Sequence, residues 1–388
     1  MGVGRFVYTP VLPLMHTQAG LSAGAGANLA TANYVGYLVG ALTGIVAPAL
    51  VRSPLVLRGS LVALTATLAF MPATHSTAAW IVLRLAAGIA SALIFVIAVS
   101  SLLSHLREHP AHLPGWAFGG VGAGIALSGL LVLVLRAFAD WRAAWWALAA
   151  LCAVLAAGSW NLRPEQTPVP AATMAEARPR TRTHRWFSAL FVSYTLEGIG
   201  YIVAGTFLVA AIGQSSPGWA GSGAWVLVGL AAVPSSALWA RLGHRWSRPD
   251  LLLAALVIQA VGIALPALIG GVAAALISAV LFGVTFIGVS TLALAAGAHL
   301  RFPRSVALLT TGYSVGQILG PLAVAPLLHH GYHQALTLAA IVVLAAAVAA
   351  GVLRVGFPRH AAVVRDGVSA PVRRSAPADA VPASTDRG

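Results

Sequence analysis

Apolar runs of about 20 residues recur along the whole chain, each closed by a short polar or glycine- and proline-containing stretch. Helices rising 1.5 Å per residue need about that length to cross a hydrocarbon core about 30 Å thick, whereas barrel strands would alternate apolar and polar positions over about 10 residues. The pattern predicts an all-α membrane protein with helices over Gly2–Gln18, Gly24–Leu50, Leu55–Ala73, Ala78–Leu103, Pro114–Leu135, Arg142–Trp160, Trp186–Ile212, Ser222–Leu242, Leu251–Ile269, Val272–His299, Ser305–Leu328 and His333–Leu353. That is twelve helices, an N-terminal six in residues 1–160 and a C-terminal six in 186–353. Residues 161–185 are rich in Pro, Arg, Thr and Ala without an apolar stripe and read as a linker. Residues 354–388 share that composition and read as a disordered tail.

The two groups are repeats of one unit. Gly2-Val3-Gly4-Arg5 lines up with Gly198-Ile199-Gly200-Tyr201 at an offset of 196, and Gly120, Gly124 and Ser128 with Gly312, Gly316 and Gly320 at 192. The second helix carries Gly36, Gly40 and Gly44, and Gly229 falls opposite Gly36 at 193. Parallel halves with a binding site at their interface are a recurring transporter plan. Because Trp186 maps to a position before the chain begins, the repeat also predicts a first helix truncated at its N-terminus and a start upstream of Met1. The glycine ladders Gly36/Gly40/Gly44, Gly120/Gly124 and Gly312/Gly316/Gly320 are expected at close helix contacts rather than against solute.

Composition agrees with lipid as the main solvent: 59% hydrophobic residues, 8% charged and a mean hydropathy of +0.87. The net charge of +14 does not point to nucleic acid, because of where it sits. There is no lysine, and with the loop after the second helix placed in the cytoplasm, 19 of 23 arginines are cytoplasmic. That orientation puts both termini in the cytoplasm. Arg136 and Arg142 fall on the far side, and Arg5 and Arg84 inside the membrane. The single Cys152 excludes an internal disulfide framework.

The stretch from Gly4 to Met15 (Gly-Arg-Phe-Val-Tyr-Thr-Pro-Val-Leu-Pro-Leu-Met), with Ala32-Asn33-Tyr34-Val35-Gly36-Tyr37-Leu38-Val39-Gly40-Ala41-Leu42, resembles the YbfB/YjiJ-type branch of the major facilitator superfamily. Leu196-Glu197-Gly198-Ile199-Gly200-Tyr201 and Thr206-Phe207-Leu208 are similar to that branch's seventh helix. The resemblance implies a twelve-helix secondary transporter of the bacterial inner membrane that works by alternating access, its first and seventh helices facing each other across a central cavity. Arg84 to Gly88 resembles the superfamily's Arg-x-x-x-Gly motif associated with proton coupling. The loop 48–58 lacks the acidic residue of the cytoplasmic gating motif, and Ala240 stands where the second half would carry Asp.

A guanidinium at the bilayer centre costs about 2.5 to 3.5 kcal/mol on insertion scales, so Arg5 requires a partner or a watery cavity. Arg5 and Glu197 each lie about 16 to 20 Å from a membrane surface by helix rise. In the transport reading, Arg5 meets an anionic group of the solute and Glu197 takes up a proton; in the structural one they form a fixed ion pair locking the halves. Arg84 either takes part in coupling or snorkels to the interface. Asn33, Tyr34, Tyr37, Tyr8 and Tyr201 either line the cavity with polar groups or satisfy neighbours. Asp140-Trp141-Arg142 reads as an interfacial anchor with a local ion pair.

No phosphate-binding loop, nucleophile elbow or metal-ligand spacing is present, so no cofactor and no enzymatic activity are expected. The expected function is proton-linked transport of a small organic solute by a monomer in the lipid bilayer, with a carboxylate-bearing solute as the class Arg5 would meet. A non-transporting receptor or scaffold on the same fold is the alternative.

Overall fold

In the computed structural model, residues 1–105, 113–162, 181–300 and 302–357 are described. They contain helices and turns and no strand. The expectations for 106–112, 163–180, 301 and 358–388, the tail among them, lie outside the described residues.

The first predicted helix is two, α1 (Gly2–Phe6) and α2 (Tyr8–Gln18), broken at Val7. Pro10 has no N–H to offer the Phe6 carbonyl, which removes the bond that would carry the helix through. After it come α3 (Ala23–Val46), the single turn α4 (Pro48–Val51) and α5 (Pro54–Phe70). Here too a proline sets the limit: α3 stops at Val46, where the sequence pattern predicts helix to Leu50. The N-terminal group closes with α6 (Thr77–His105), α7 (Leu113–Leu135) and α8 (Trp141–Gly158).

The C-terminal group opens with α9 (Thr181–Ser215), which starts five residues inside the predicted linker. The extra turn packs, with the His184 ring edge-on to Phe302 at 5.1 Å. The eighth predicted helix is bent by 43° between α10 (Gly218–Ala232) and α11 (Ser235–Leu242), where Pro234 interrupts the backbone ladder. Then follow α12 (Arg248–Leu268), α13 (Gly271–His299), α14 (Ser305–Val324) and α15 (Tyr332–Leu353). The chain leaves α14 as a 3₁₀ segment, Ala325–His330, rather than continuing as α-helix to Leu328. An Arg354–Asp250 ion pair of 2.5 Å ties the end of α15 to the start of α12.

Nine of the described helical segments are long and apolar enough to cross a membrane, ten with α10 and α11 as one span. Gly2–Gln18 and Ala23–Val46 are not among them, so twelve stays an expectation of the sequence pattern.

Met1–Phe357 forms one compact unit. Within it α3 crosses α6 with Gly36 and Gly88 at the contact. A Cβ on Gly36 would stand 2.0 Å from the Leu85 carbonyl oxygen, and one on Gly88 2.1 Å from that of Asn33. Gly40 and Gly44 continue this line against Ile89 and Val96. On the other side, Gly312, Gly316 and Gly320 of α14 press on Thr195, Ile199 and Ile202 of α9. Gly124 meets Gly2, and Gly122 of α7 meets Gly229 of α10, joining the two groups of helices. Gly120 departs from the expectation: it is exposed, and a Cβ there would meet nothing within 4 Å. The contact face of α7 runs through Gly119, Gly122 and Gly129 instead, out of phase with the spacing matched to α14.

Candidate functional site

Three polar side chains of α1, α2 and α3 reach α9 and α14. Arg5 donates from Nη2 to Gln317 Oε1 at 2.6 Å. Thr9 donates from Oγ1 to the Gly205 carbonyl at 2.5 Å, at the offset of 196 read from the repeat. The Tyr34 hydroxyl lies 2.8 Å from Thr206 Oγ1. Since Thr206 spends its only proton on the Ile202 carbonyl (2.7 Å), Tyr34 is the donor.

Arg5 is 7% exposed and its guanidinium lies 3.8 Å from the Tyr37 ring centroid and 5.9 Å from that of Tyr34. Its Nε has no hydrogen-bond partner. The expected pairing of Arg5 with Glu197 is absent: no ion pair links them, and each side chain faces an amide. The repeat supplies the reason. Arg5 is level with Tyr201, and Glu197 sits one helical turn away from it, about 6 Å along α9. Tyr201 and Tyr313 fill the intervening space, their rings stacked at 5.5 Å, with Tyr194 on Tyr313 at 4.4 Å.

Glu197 is fully buried, and so is Gln259 of α12, which it faces. Among the described residues Glu197 is the only buried carboxyl group.

Arg84 does not snorkel. It is 2% exposed, directs Nη2 at the Arg5 carbonyl (3.4 Å) and lies 5.0 Å from the Tyr8 ring centroid, with Nε and Nη1 unpartnered. Asn33 donates to the Arg84 carbonyl at 2.9 Å, and Tyr8 to that of Gly26 at 3.0 Å. Arg5, Arg84, Tyr8, Asn33, Tyr34, Tyr37 and Tyr201 thus form one buried cluster, with Glu197 beyond its tyrosine edge. Asp140 does not pair with Arg142 either. It caps α8 by accepting from the Ala143 N–H at 2.8 Å, and Arg142 turns to His75.

A cavity of about 360 Å³ opens toward the Gln18 and Gln214 ends of α2 and α9, lined in part by Pro10, Pro13, Thr17, Arg136, Gln214 and Tyr332. Neither Arg5 nor Glu197 lines that cavity, and both side chains are buried in the protein. Thr9 and Thr206 lie between Arg5 and that cavity, about one turn short of Pro13 and Val209 on their helices, and their bonds join the two groups of helices below it.

Gln317, Gln259 and Tyr313 belong to this site and carry no motif, and Thr206, which lies in the stretch similar to the branch's seventh helix, joins them. The available signal was a lone amide in an otherwise apolar or small-residue helix, as at Gln317 in α14 and Gln259 in α12.

Long apolar helices with polar groups buried where the N-terminal and C-terminal groups of helices meet mark a membrane transporter of the major facilitator class. The chain belongs to the family described as uncharacterised MFS-type transporter YbfB, whose model matches residues 1–353. Among solved structures it is similar to a point-mutant crystal structure of the nucleoside transporter NupG. The TM-score is 0.66 and the identity 14%, over 91% of this chain and 98% of that one. Among curated proteins none matches it. The family makes the bilayer and a small-molecule solute its partners.

Proposed function

We propose that this transporter moves a small organic anion in exchange with, or together with, protons. In this reading Arg5 binds the anionic group, Glu197 carries the proton, and the two six-helix halves, 1–160 and 186–353, rock about the cluster. The protein acts as a monomer in the bacterial inner membrane with both termini in the cytoplasm, the side favoured by the distribution of arginine. The observation that carries the proposal is Arg5 itself. A buried guanidinium held by a neutral amide oxygen and aromatic faces, with no ion pair among the described residues, is a cation still lacking its counter-charge. The neighbouring Arg84 adds a second positive charge without a carboxylate. Nucleosides, named for the structural neighbour, are uncharged and would leave both guanidinium groups uncompensated, which favours an anionic solute here.

The test is binding followed by flux. In a thermal-shift screen of organic acids, amines and neutral solutes against the purified protein, acids should stabilise it and Arg5→Gln should remove the effect. In liposomes, uptake of the acid so found should follow an imposed pH gradient, and Glu197→Gln should uncouple it. Stabilisation by neutral solutes alone, undiminished in Arg5→Gln, would overturn the anion assignment.

A further inference from the structure

Glu197 and Gln259 present an unusual account of hydrogen bonds. Neither carboxyl oxygen of Glu197, and neither the oxygen nor the nitrogen of the Gln259 amide, makes a hydrogen bond of ordinary geometry, although all four atoms are buried and the two side chains are within interaction distance. The two side chains face each other from α9 and α12, each 0% exposed. Four unsatisfied buried polar atoms in one place would cost about 1 to 3 kcal/mol apiece.

A single proton answers all four. An ionised carboxylate can only accept, so it could use the Gln259 N–H but would leave the amide oxygen facing a negative charge. A carboxylic acid donates its O–H to the amide oxygen while its carbonyl accepts the amide N–H, closing a cyclic pair. The groups around Glu197 do not compete for this role. Its titratable neighbours are the phenols Tyr194 and Tyr201 on α9 and Tyr313 on α14. The face of α15 against α9 is Ala339 and Val343 at Gly200 and the Ala346 carbonyl at Ser193. From α13, Ser290 engages Tyr194. No cation among the described residues pairs with Glu197.

We infer that Gln259 is the positioning residue of the coupling proton: Glu197 is held as a neutral acid, and the two hydrogen bonds that the acid can make with the facing Gln259 amide fix the proton there. The inference rests on the reading of Glu197 as proton carrier and adds the residue that holds the proton in place. On release the proton leaves the Glu197 oxygen for water, and the amide must turn or separate. Movement of α12 against α9 is thereby tied to protonation.

Infrared difference spectroscopy of the full-length protein in phosphatidylethanolamine/phosphatidylglycerol vesicles tests this. At neutral pH the wild type should show the carbonyl band of a protonated, hydrogen-bonded carboxyl group, and Glu197→Gln should abolish it. Gln259→Leu should shift the band to higher wavenumber, as for a carboxyl group without partners; Gln259→Met repeats the test with an unbranched side chain. Thermal unfolding reports that each variant is folded. Absence of a Glu197-dependent band, or a band that neither Gln259 variant moves, overturns the pair. If the band behaves as stated while Glu197→Gln keeps its pH-gradient-driven uptake, the pair stands and the transport role of Glu197 falls.

Discussion

Arg5 and Gln317, 312 positions apart, share a 2.6 Å hydrogen bond in the protein interior, and that bond uses one donor of the guanidinium proposed to bind the solute. In the function proposed above, a solute anion that takes over this Nη2 donor displaces the amide, and displacing it removes the bond that ties α1 to α14. Binding energy and release of the contact between the two groups of helices are then one event, as alternating access requires of a ligand that prefers one state.

This makes Gln317→Glu informative. The change is nearly isosteric and puts a carboxylate on the guanidinium, supplying internally the counter-charge that Arg5 lacks. Affinity for the anion should fall at least tenfold, about 1.4 kcal/mol, with thermal stability kept or raised. Isothermal titration and a melting curve on the same preparation decide it; unchanged affinity would separate Arg5 from solute binding.

The glycine positions give a paired test of packing. Gly36→Ala sets a methyl group 2.0 Å from the Leu85 carbonyl oxygen, a backbone atom that cannot move without shifting α6. It should destabilise by more than about 2 kcal/mol, whereas Gly120→Ala, with nothing within 4 Å, should change stability by less than about 0.5 kcal/mol or raise it through helix propensity. Equal melting temperatures for the two variants would refute the α3–α6 crossing as described.

These glycines also show how much could be read from the chain. The ladders on α3 and α14 were legible because three small residues at spacing four mark one face whatever the partner. Gly120 was not, since rotation of a helix about its axis is fixed by the neighbour it packs on, and α7 turns Gly122 toward α10. Arg5, Arg84 and Glu197 were legible as costly charges in lipid, and the offset of 196 is the separation of the observed Thr9–Gly205 bond. Their partners were not: a buried charge announces that it needs one, but an amide on a distant helix meets that need as well as an opposite charge does. Pro234 sits inside the apolar run predicted as one helix, and the hydropathy pattern gave no sign of the 43° bend there.

Asp140 illustrates the same point at the membrane edge. Proximity in sequence suggests a pair with Arg142, but the carboxylate instead accepts the Ala143 N–H at the first turn of α8. Asp140→Ala should cost about 1 kcal/mol, the usual loss for an N-cap, and Asp140→Ser should restore most of it. Arg142→Gln should leave that stability unchanged, measured by chemical denaturation in detergent. A large loss in Arg142→Gln matching that of Asp140→Ala would restore the ion pair.

Beneath the cavity, Tyr34 and Thr206 offer a test of access. The bond between them, with Thr9 to Gly205 beside it, spans the two groups of helices, and nothing in either bond is charged. Each such bond is worth about 0.5 to 1.5 kcal/mol, so losing both shifts the balance between closed and open by about 1 to 3 kcal/mol, roughly 5- to 150-fold in population. The double variant Tyr34→Phe with Thr9→Val removes both donors and keeps the shapes. Water should then reach Arg5 from the Gln18 end more often. In a Cys152→Ser background, a cysteine placed at Phe6 should react with a small polar thiol reagent at least fivefold faster in the double variant. An unchanged labelling rate would mean that these two bonds do not close the path between the cavity and Arg5.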